Sequence, residues 1–282
     1  MANVGIIGWG VVGQATGQGF SSKHNVFWHD PYKEGGVTLG ELVDSSEFIF
    51  VCVPTPMFAD YSGIDLSIVE EVVGGVAGVI GDNKGGQVVI IKSTVVPGTT
   101  ARFAEKHPHI DFVANPEFLT ESRPFEDFLN PDRTIIGGEI SLATRVKALY
   151  EEILPPDAVY FLTDPTSAEL AKYAANAILA SKIMLANEIF SVSQVLGVDY
   201  DSVRVMIEAD PRIGSHLRVP GPDGELGFGG KCFPKDLVAL LSLERTVGVD
   251  LSVLREVWEK NLRVRKSRDW EGIPGAISKR KD

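Results

Sequence analysis

The stretch VGIIGWGVVGQA, residues 4–15, decides the fold. A short apolar run, Val4–Ile7, passes directly into Gly8-Trp9-Gly10-Val11-Val12-Gly13, and a helix-like segment at 13–22 follows. This is GxGxxG in the strand–turn–helix setting that gives the pattern its meaning. Gly8 allows the tight turn, Gly10 lets backbone approach a pyrophosphate, and Gly13 lets helix and strand pack closely. The opening N–H groups of the helix, at Val11 and Val12, then face phosphate oxygens. Asp30 comes 22 residues after Gly8, at the end of the next strand, where a carboxylate accepts hydrogen bonds from a ribose 2′-OH. A 2′-phosphate would face that charge, so the motif favours NAD over NADP. Lys33 either neutralises part of the diphosphate or is solvated.

Working outward, β-type apolar runs recur at Asn25–Trp28, Phe48–Val53, Val88–Ile91, Asp111–Ala114, Thr134–Gly137 and Val159–Leu162. Helical stretches at 66–80, 99–107 and 142–152 lie between them, which is α/β alternation. Unbroken apolar strands such as FIFVCV suit a sheet covered on both faces. After Asp164-Pro165 the pattern changes to one long Ala-rich helix, 167–196, opened by a Thr/Ser cap and closed by Gly197. Further helices are expected at 200–209, 234–247 and 251–268. The fold class is therefore α/β: a Rossmann-type doubly wound sheet over 1–164, then an all-helical domain over 165–282 with a long central helix. That helix is apolar almost all round, which predicts packing against a second copy of the chain, a homodimer.

Composition narrows the function classes. The 282 residues carry 27 Lys+Arg against 38 Asp+Glu, a net charge of −11 that argues against nucleic-acid binding. No apolar run is long enough to span a membrane and the start lacks a basic leader, so no membrane association is expected. Two cysteines 180 residues apart, Cys52 and Cys232, make no disulfide framework and point to a reducing cytoplasm. No metal site is expected. The basic tail, 255–282, reads as a solvated, partly helical end.

The segment GFGGKCFPKD, 227–236, carries the chemistry. Its glycines permit close backbone approach to a ligand. Pro234 suits the first turn of a helix, which puts Cys232 at about the N-cap. There the helix dipole, Lys231 and Lys235 lower the thiol pKa and raise its nucleophilicity. Asp236 follows one turn later. Cys52, mid-strand, is the bland case and should be inert.

GFGGKCFPKD resembles the catalytic-cysteine signature of the UDP-glucose/GDP-mannose 6-dehydrogenase family. VPTP at 53–56, KSTVVPGTT at 92–100, NPEFLTES at 115–122, AELAKYAANAILASKI at 168–183 and ADPRIGSH at 209–216 extend the resemblance in the family's order. It implies an NAD-dependent, four-electron oxidation of a nucleotide sugar's primary alcohol to the acid, UDP-glucose being the leading substrate. Cys232 would then carry a thiohemiacetal and a thioester. Lys172 and Asn176, one helical turn apart, would stabilise and hold the substrate oxygen. Asp236 with a water would act as general base, Thr94 would bind that water, and Glu117 would assist hydrolysis. Thr55, Thr94, Glu121 and Lys235 fall to the cofactor. Arg212 would serve a neighbouring subunit's substrate site, Gly229 would touch substrate, and Arg218 with Gly221 would cradle the diphosphate. The family also has a third, carboxy-terminal domain that this sequence does not include, so weakened substrate binding is expected. Two other readings remain: a two-electron hydroxyacid dehydrogenase, which needs no Cys232, and an NAD-binding remnant without turnover.

Overall fold

The computed structural model describes residues 1–81, 86–120 and 122–279. The chain divides into two compact units, Met1–Thr55 with Leu66–Lys172, and Pro56–Asp65 with Tyr173–Asp282.

The first unit alternates β1 (Asn3–Ile7), α1 (Val11–Ser21), β2 (Asn25–His29), α2 (Leu39–Ser45), β3 (Phe48–Val51), α3 (Ser67–Ile80), β4 (Val88–Ile91), α4 (Thr99–Lys106), β5 (Asp111–Ala114), α5 (Pro124–Leu129), β6 (Thr134–Gly137), α6 (Ile140–Glu151) and β7 (Tyr160–Thr163). They form one seven-stranded sheet ordered β2-β1-β3-β4-β5-β6-β7. Every pairing is parallel except β5 with β6, which meet antiparallel at Ala114 and Gly137.

Strand alternation sorts the apolar runs into two cores. Ile6, Phe48, Phe50, Val88 and Ile90 face one layer with Phe20, Phe128, Val146 and Tyr150. Ile7, Ile49, Val51, Val89 and Ile91 face the other, with Leu42, Val69, Val73 and Phe103. A sheet covered on both faces needs apolar side chains at every position, which is why FIFV shows no polar alternation.

Register matters more for function. Ile7 pairs with His29 and Val51, Val51 with Ile91, and Ile91 with Ala114. The residues one step on, Gly8, Asp30, Cys52, Lys92 and Asn115, thus share the carboxyl edge of the sheet. Strand order reverses beside β1, and open α/β sheets bind ligands at such a switch point.

Two short helices escape the sequence pattern. A capping box, Thr38 with Glu41, starts α2, and Pro124 opens α5.

The long helix α7 (Pro165–Leu196) starts earlier than expected. Its cap is Asp164, whose carboxylate accepts from the Ser167 N–H at 2.9 Å, rather than a Thr or Ser. Gly197 follows with φ +69°, as a helix stop. The second unit continues with α8 (Tyr200–Glu208), α9 (Cys232–Ser242), α10 (Glu244–Val247), α11 (Ser252–Val264) and a 3-10 turn at Asp269–Glu271. Its core joins Met57, Ala177, Ala180, Met184, Phe228, Leu237, Val238, Trp258 and Trp270. The tail is therefore not a solvated end. Trp270 is completely buried, and Ser278 donates from its backbone N–H to Met57 O at 2.7 Å and from its hydroxyl to Asp65 at 2.6 Å. Expected helices at 234–247 and 251–268 are shorter: a break at Leu243 separates α9 from α10, and α11 ends at Val264 where Arg265 turns extended.

Candidate functional site

In the first unit the glycines of the turn divide their work. Gly8 has φ +92°, and a Cβ there would sit 2.6 Å from Cys52 O. A Cβ on Gly13 would lie 1.9 Å from Gly8 O, so only glycine lets α1 close onto the turn. At Gly10 a Cβ would meet nothing within 4 Å, and no side chain caps α1 at this N-cap. An uncapped helix start beside open space is the geometry that receives a diphosphate. Asp30 directly follows β2 and holds the turn: its carboxylate accepts from the Trp9 N–H at 2.8 Å. Exposed Lys33 donates to Trp9 O at 2.6 Å, tying its ammonium to the same turn. The residues present thus fit a dinucleotide.

Farther along this edge, buried Thr55 donates its hydroxyl to Thr94 O at 2.8 Å, linking the ends of β3 and β4. Glu117, just past β5, accepts from the Leu119 N–H at 2.6 Å and from Lys172 at 3.4 Å. Lys172 is buried, and its ammonium lies 5.3 Å from the Phe118 ring centroid. Glu121 lies outside the described residues.

Sequence reasoning missed two buried ionisable groups here. Lys92 donates to Asn115 Oδ1 at 3.1 Å and to Tyr150 OH at 3.3 Å, and burial pulls its pKa down to about 8. The signal was a lysine set directly after the wholly apolar VVII. Glu169 accepts from the Gly98 and Thr100 N–H groups at 2.6 and 2.9 Å, which caps α4; burial outweighs those bonds and raises its pKa. Cys52 lies one residue beyond β3, and burial pushes its thiol up to about 12, an inert group at neutral pH.

In the second unit Cys232 is the first residue of α9, with Lys231 as the N-cap, so the helix is capped one place earlier than expected. One turn on, Asp236 is 1% exposed. Lys235 donates to one of its oxygens at 2.5 Å and Asn176 to the other. A carboxylate held at both oxygens is fixed in orientation as well as charge. Lys172 and Asn176, one turn apart on α7, therefore have carboxylate partners from different units: Glu117 for the first and Asp236 for the second.

The basic positions differ from one another. Arg212 is exposed and forms a fork with Asp210, at 3.0 and 2.5 Å. Arg218 is exposed. The Gly221 N–H donates to Glu225 O at 2.9 Å. Gly229 faces the interior on its Cα side, where a Cβ would meet Arg265 Nη2 at 2.1 Å.

Among the described residues no cluster of His, Cys, Asp and Glu is arranged to hold a metal ion, and no helix is long and apolar enough to cross a membrane.

Comparison with known proteins meets this geometry at both units. Residues 36–154 match the NAD binding domain of the UDP-glucose/GDP-mannose dehydrogenase family, and residues 166–263 match its central domain. The cofactor is NAD. A UDP-glucose 6-dehydrogenase from Pseudomonas aeruginosa is 36% identical over 242 residues, which are 80% of this chain and 51% of that protein. The chain thus spans about half the length of the curated relatives it matches. A UDP-glucose dehydrogenase structure from Pyrobaculum islandicum has TM-score 0.80 at 30% identity, over 93% of this chain and 68% of that one. A 3-hydroxyisobutyrate dehydrogenase from Mycobacterium tuberculosis, TM-score 0.75 at 17% identity, shares the fold. With both family domains matched in order and a solved relative aligned over 93% of this chain, the chain belongs to the UDP-glucose/GDP-mannose dehydrogenase family.

Proposed function

We propose that the chain catalyses the NAD-dependent four-electron oxidation of a nucleotide sugar's C6 alcohol to the uronic acid, with UDP-glucose as the leading substrate. The observation that carries this reading is the start of α9: a cysteine at its first position and, one turn later, a buried aspartate fixed by Lys235 and Asn176. A thiol at a helix N-terminus flanked by lysines is the setting that favours thiolate.

NAD, when bound, accepts a hydride from the substrate carbon in each of two oxidations. Asp236, acting with a water, takes the hydroxyl proton in the first. Lys172 stabilises the oxygen as it gains negative charge, and Asn176 holds it. The Cys232 thiolate adds to the carbonyl carbon of the aldehyde to give a thiohemiacetal, which the second oxidation leaves as a thioester. Water held by Thr94 and assisted by Glu117 and Asp236 cleaves the C–S bond, releasing the carboxylate and restoring the thiol. The balance is alcohol plus water plus two NAD⁺ to carboxylate, two NADH and three protons. Thr55, Glu121 and Lys235 are assigned to the cofactor, and Arg212, Arg218 and Gly229 to the substrate.

A homodimer through α7 belongs to the same reading. Ile178, Leu185, Ile189, Val192 and Leu196 are all exposed at helical spacing, an apolar stripe that a second copy would cover. The test of the chemistry is covalent: a Glu117→Gln variant, which spares the base of the first oxidation and slows hydrolysis, acid-quenched after mixing with UDP-glucose and NAD, should accumulate a sugar acyl adduct on the Cys232 peptide by mass spectrometry. Turnover with no adduct there, and unchanged turnover in Cys232→Ser, would sink it.

A further inference from the structure

The loop before α9 is irregular, so its buried backbone groups need partners from elsewhere. Side chains supply them. Asn261, fully buried, accepts from the Phe228 N–H at 2.8 Å and donates to Phe228 O at 3.0 Å, pairing with that residue as a neighbouring strand would. Asp269 accepts from the Gly230 N–H at 2.8 Å. Arg265, its side chain 2% exposed, holds Asp269 at 2.9 Å and Asp223 at 2.6 Å. Asn187 takes the Gly227 N–H at 3.0 Å.

The glycines of the motif answer to this network. A Cβ on Gly227 would lie 2.2 Å from Asn261 Oδ1, and one on Gly229 would lie 2.4 Å from Asp269 Oδ1. Two of the three glycines are therefore small to admit a clamp from inside the unit, whatever ligand approaches from outside. Asn261, Arg265 and Asp269 recur every four residues, so one short stretch of chain grips the loop that ends at Lys231 and Cys232.

We infer that Asn261, Arg265 and Asp269 are positioning residues that fix the Gly227–Gly230 loop and, through it, the thiol of Cys232 at the head of α9. The inference rests on the reading of Cys232 as the nucleophile. Asn261 sets the register of the loop because one side chain serves both backbone groups of Phe228. Arg265 acts at one remove, by locking the carboxylate that takes the Gly230 N–H.

The test measures the thiol itself, without substrate. The full chain is alkylated with iodoacetamide between pH 5 and 10, and the rate at the Cys232 peptide is read by mass spectrometry; inert Cys52 is the internal control. Asn261→Asp keeps the shape and the acceptor but loses the donor to Phe228 O. Asp269→Asn keeps the acceptor to Gly230 but loses the charge that holds Arg265. Both variants should slow Cys232 alkylation at pH 7 by at least threefold and move the midpoint of the profile upward, with helical content and NAD binding retained. Should Asn261→Asp lose helical content, Asp269→Asn carries the test, since its side chain is a third exposed. A low-pH wild-type profile left unmoved in the folded variants overturns the positioning role alone. A wild-type midpoint near that of an ordinary cysteine overturns the nucleophile reading and the inference with it.

Discussion

Replacing Lys92 with methionine should stabilise the first unit at neutral pH and lose that advantage in alkali. The ammonium is buried beside neutral partners, Asn115 and Tyr150, and its pKa falls from 10.5 to about 8. A drop of that size corresponds to about 3 kcal/mol spent on holding the charged form inside the folded protein. Methionine keeps the length of the side chain and removes the charge. It orphans nothing: Tyr150 OH still donates to Asn115 Oδ1 at 2.7 Å, and Asn115 Nδ2 still donates to Ile135 O at 2.8 Å. Lost hydrogen bonds take back roughly 1 kcal/mol, which leaves a net gain on the order of 2 kcal/mol at pH 7. The sign with pH follows from proton counts. Between pH 8 and 10.5 the unfolded chain holds the Lys92 proton and the folded chain does not, so wild-type stability rises with pH across that window. The variant lacks this rise. Urea denaturation of both proteins at pH 7 and at pH 10.5 should therefore show the variant ahead in the first case and level or behind in the second. A Lys92→Met protein less stable at pH 7, or a difference that does not change with pH, would refute the reasoning and show that the buried ammonium is satisfied where it stands.

Gly13→Ala should weaken NAD binding at least tenfold by calorimetric titration, because the new methyl would lie 1.9 Å from Gly8 O and backbone must yield around the phosphate turn. Glu169 has its carboxyl pKa raised by burial, so the folded state holds the proton more tightly than the unfolded chain. Stability from this group is fully present below the unfolded pKa and is lost as pH rises through the folded one. Glu169→Gln should flatten that decline in thermal melts taken at stepwise pH. Ile178→Glu with Leu185→Glu, on the exposed stripe of α7, should shift a dimer to monomer in light scattering, while a wild-type monomer would end the dimer proposal.

Sequence reading recovered the elements whose pattern is local. All seven strands were visible because each centres on a short apolar run bounded by turn residues, and the sheet buries both faces of its central strands. The tight turn at Gly8 and the close packing at Gly13 were equally local, since strand, turn and helix are contiguous. What escaped depends on distant partners. Nothing around Trp270 or Ser278 reveals that Met57 and Asp65 will receive them, more than two hundred residues away in the chain. The glycines at 227 and 229 read as room for a ligand, because Asn261, Arg265 and Asp269 look on their own like ordinary positions of a charged helix and tail. The same holds for Lys92, whose neutral partners come from the residue after β5 and from α6. The short helix α2 was legible in principle, through Thr38 and Glu41, and the antiparallel β5–β6 pairing was not.

The most direct measurement is the number of NADH molecules formed per UDP-glucose consumed, followed by absorbance under limiting sugar with and without Cys232→Ser. The account predicts two per sugar, with the uronic acid as product and loss of that yield in the variant. One NADH per sugar, unchanged when the sulfur is replaced, would contradict it.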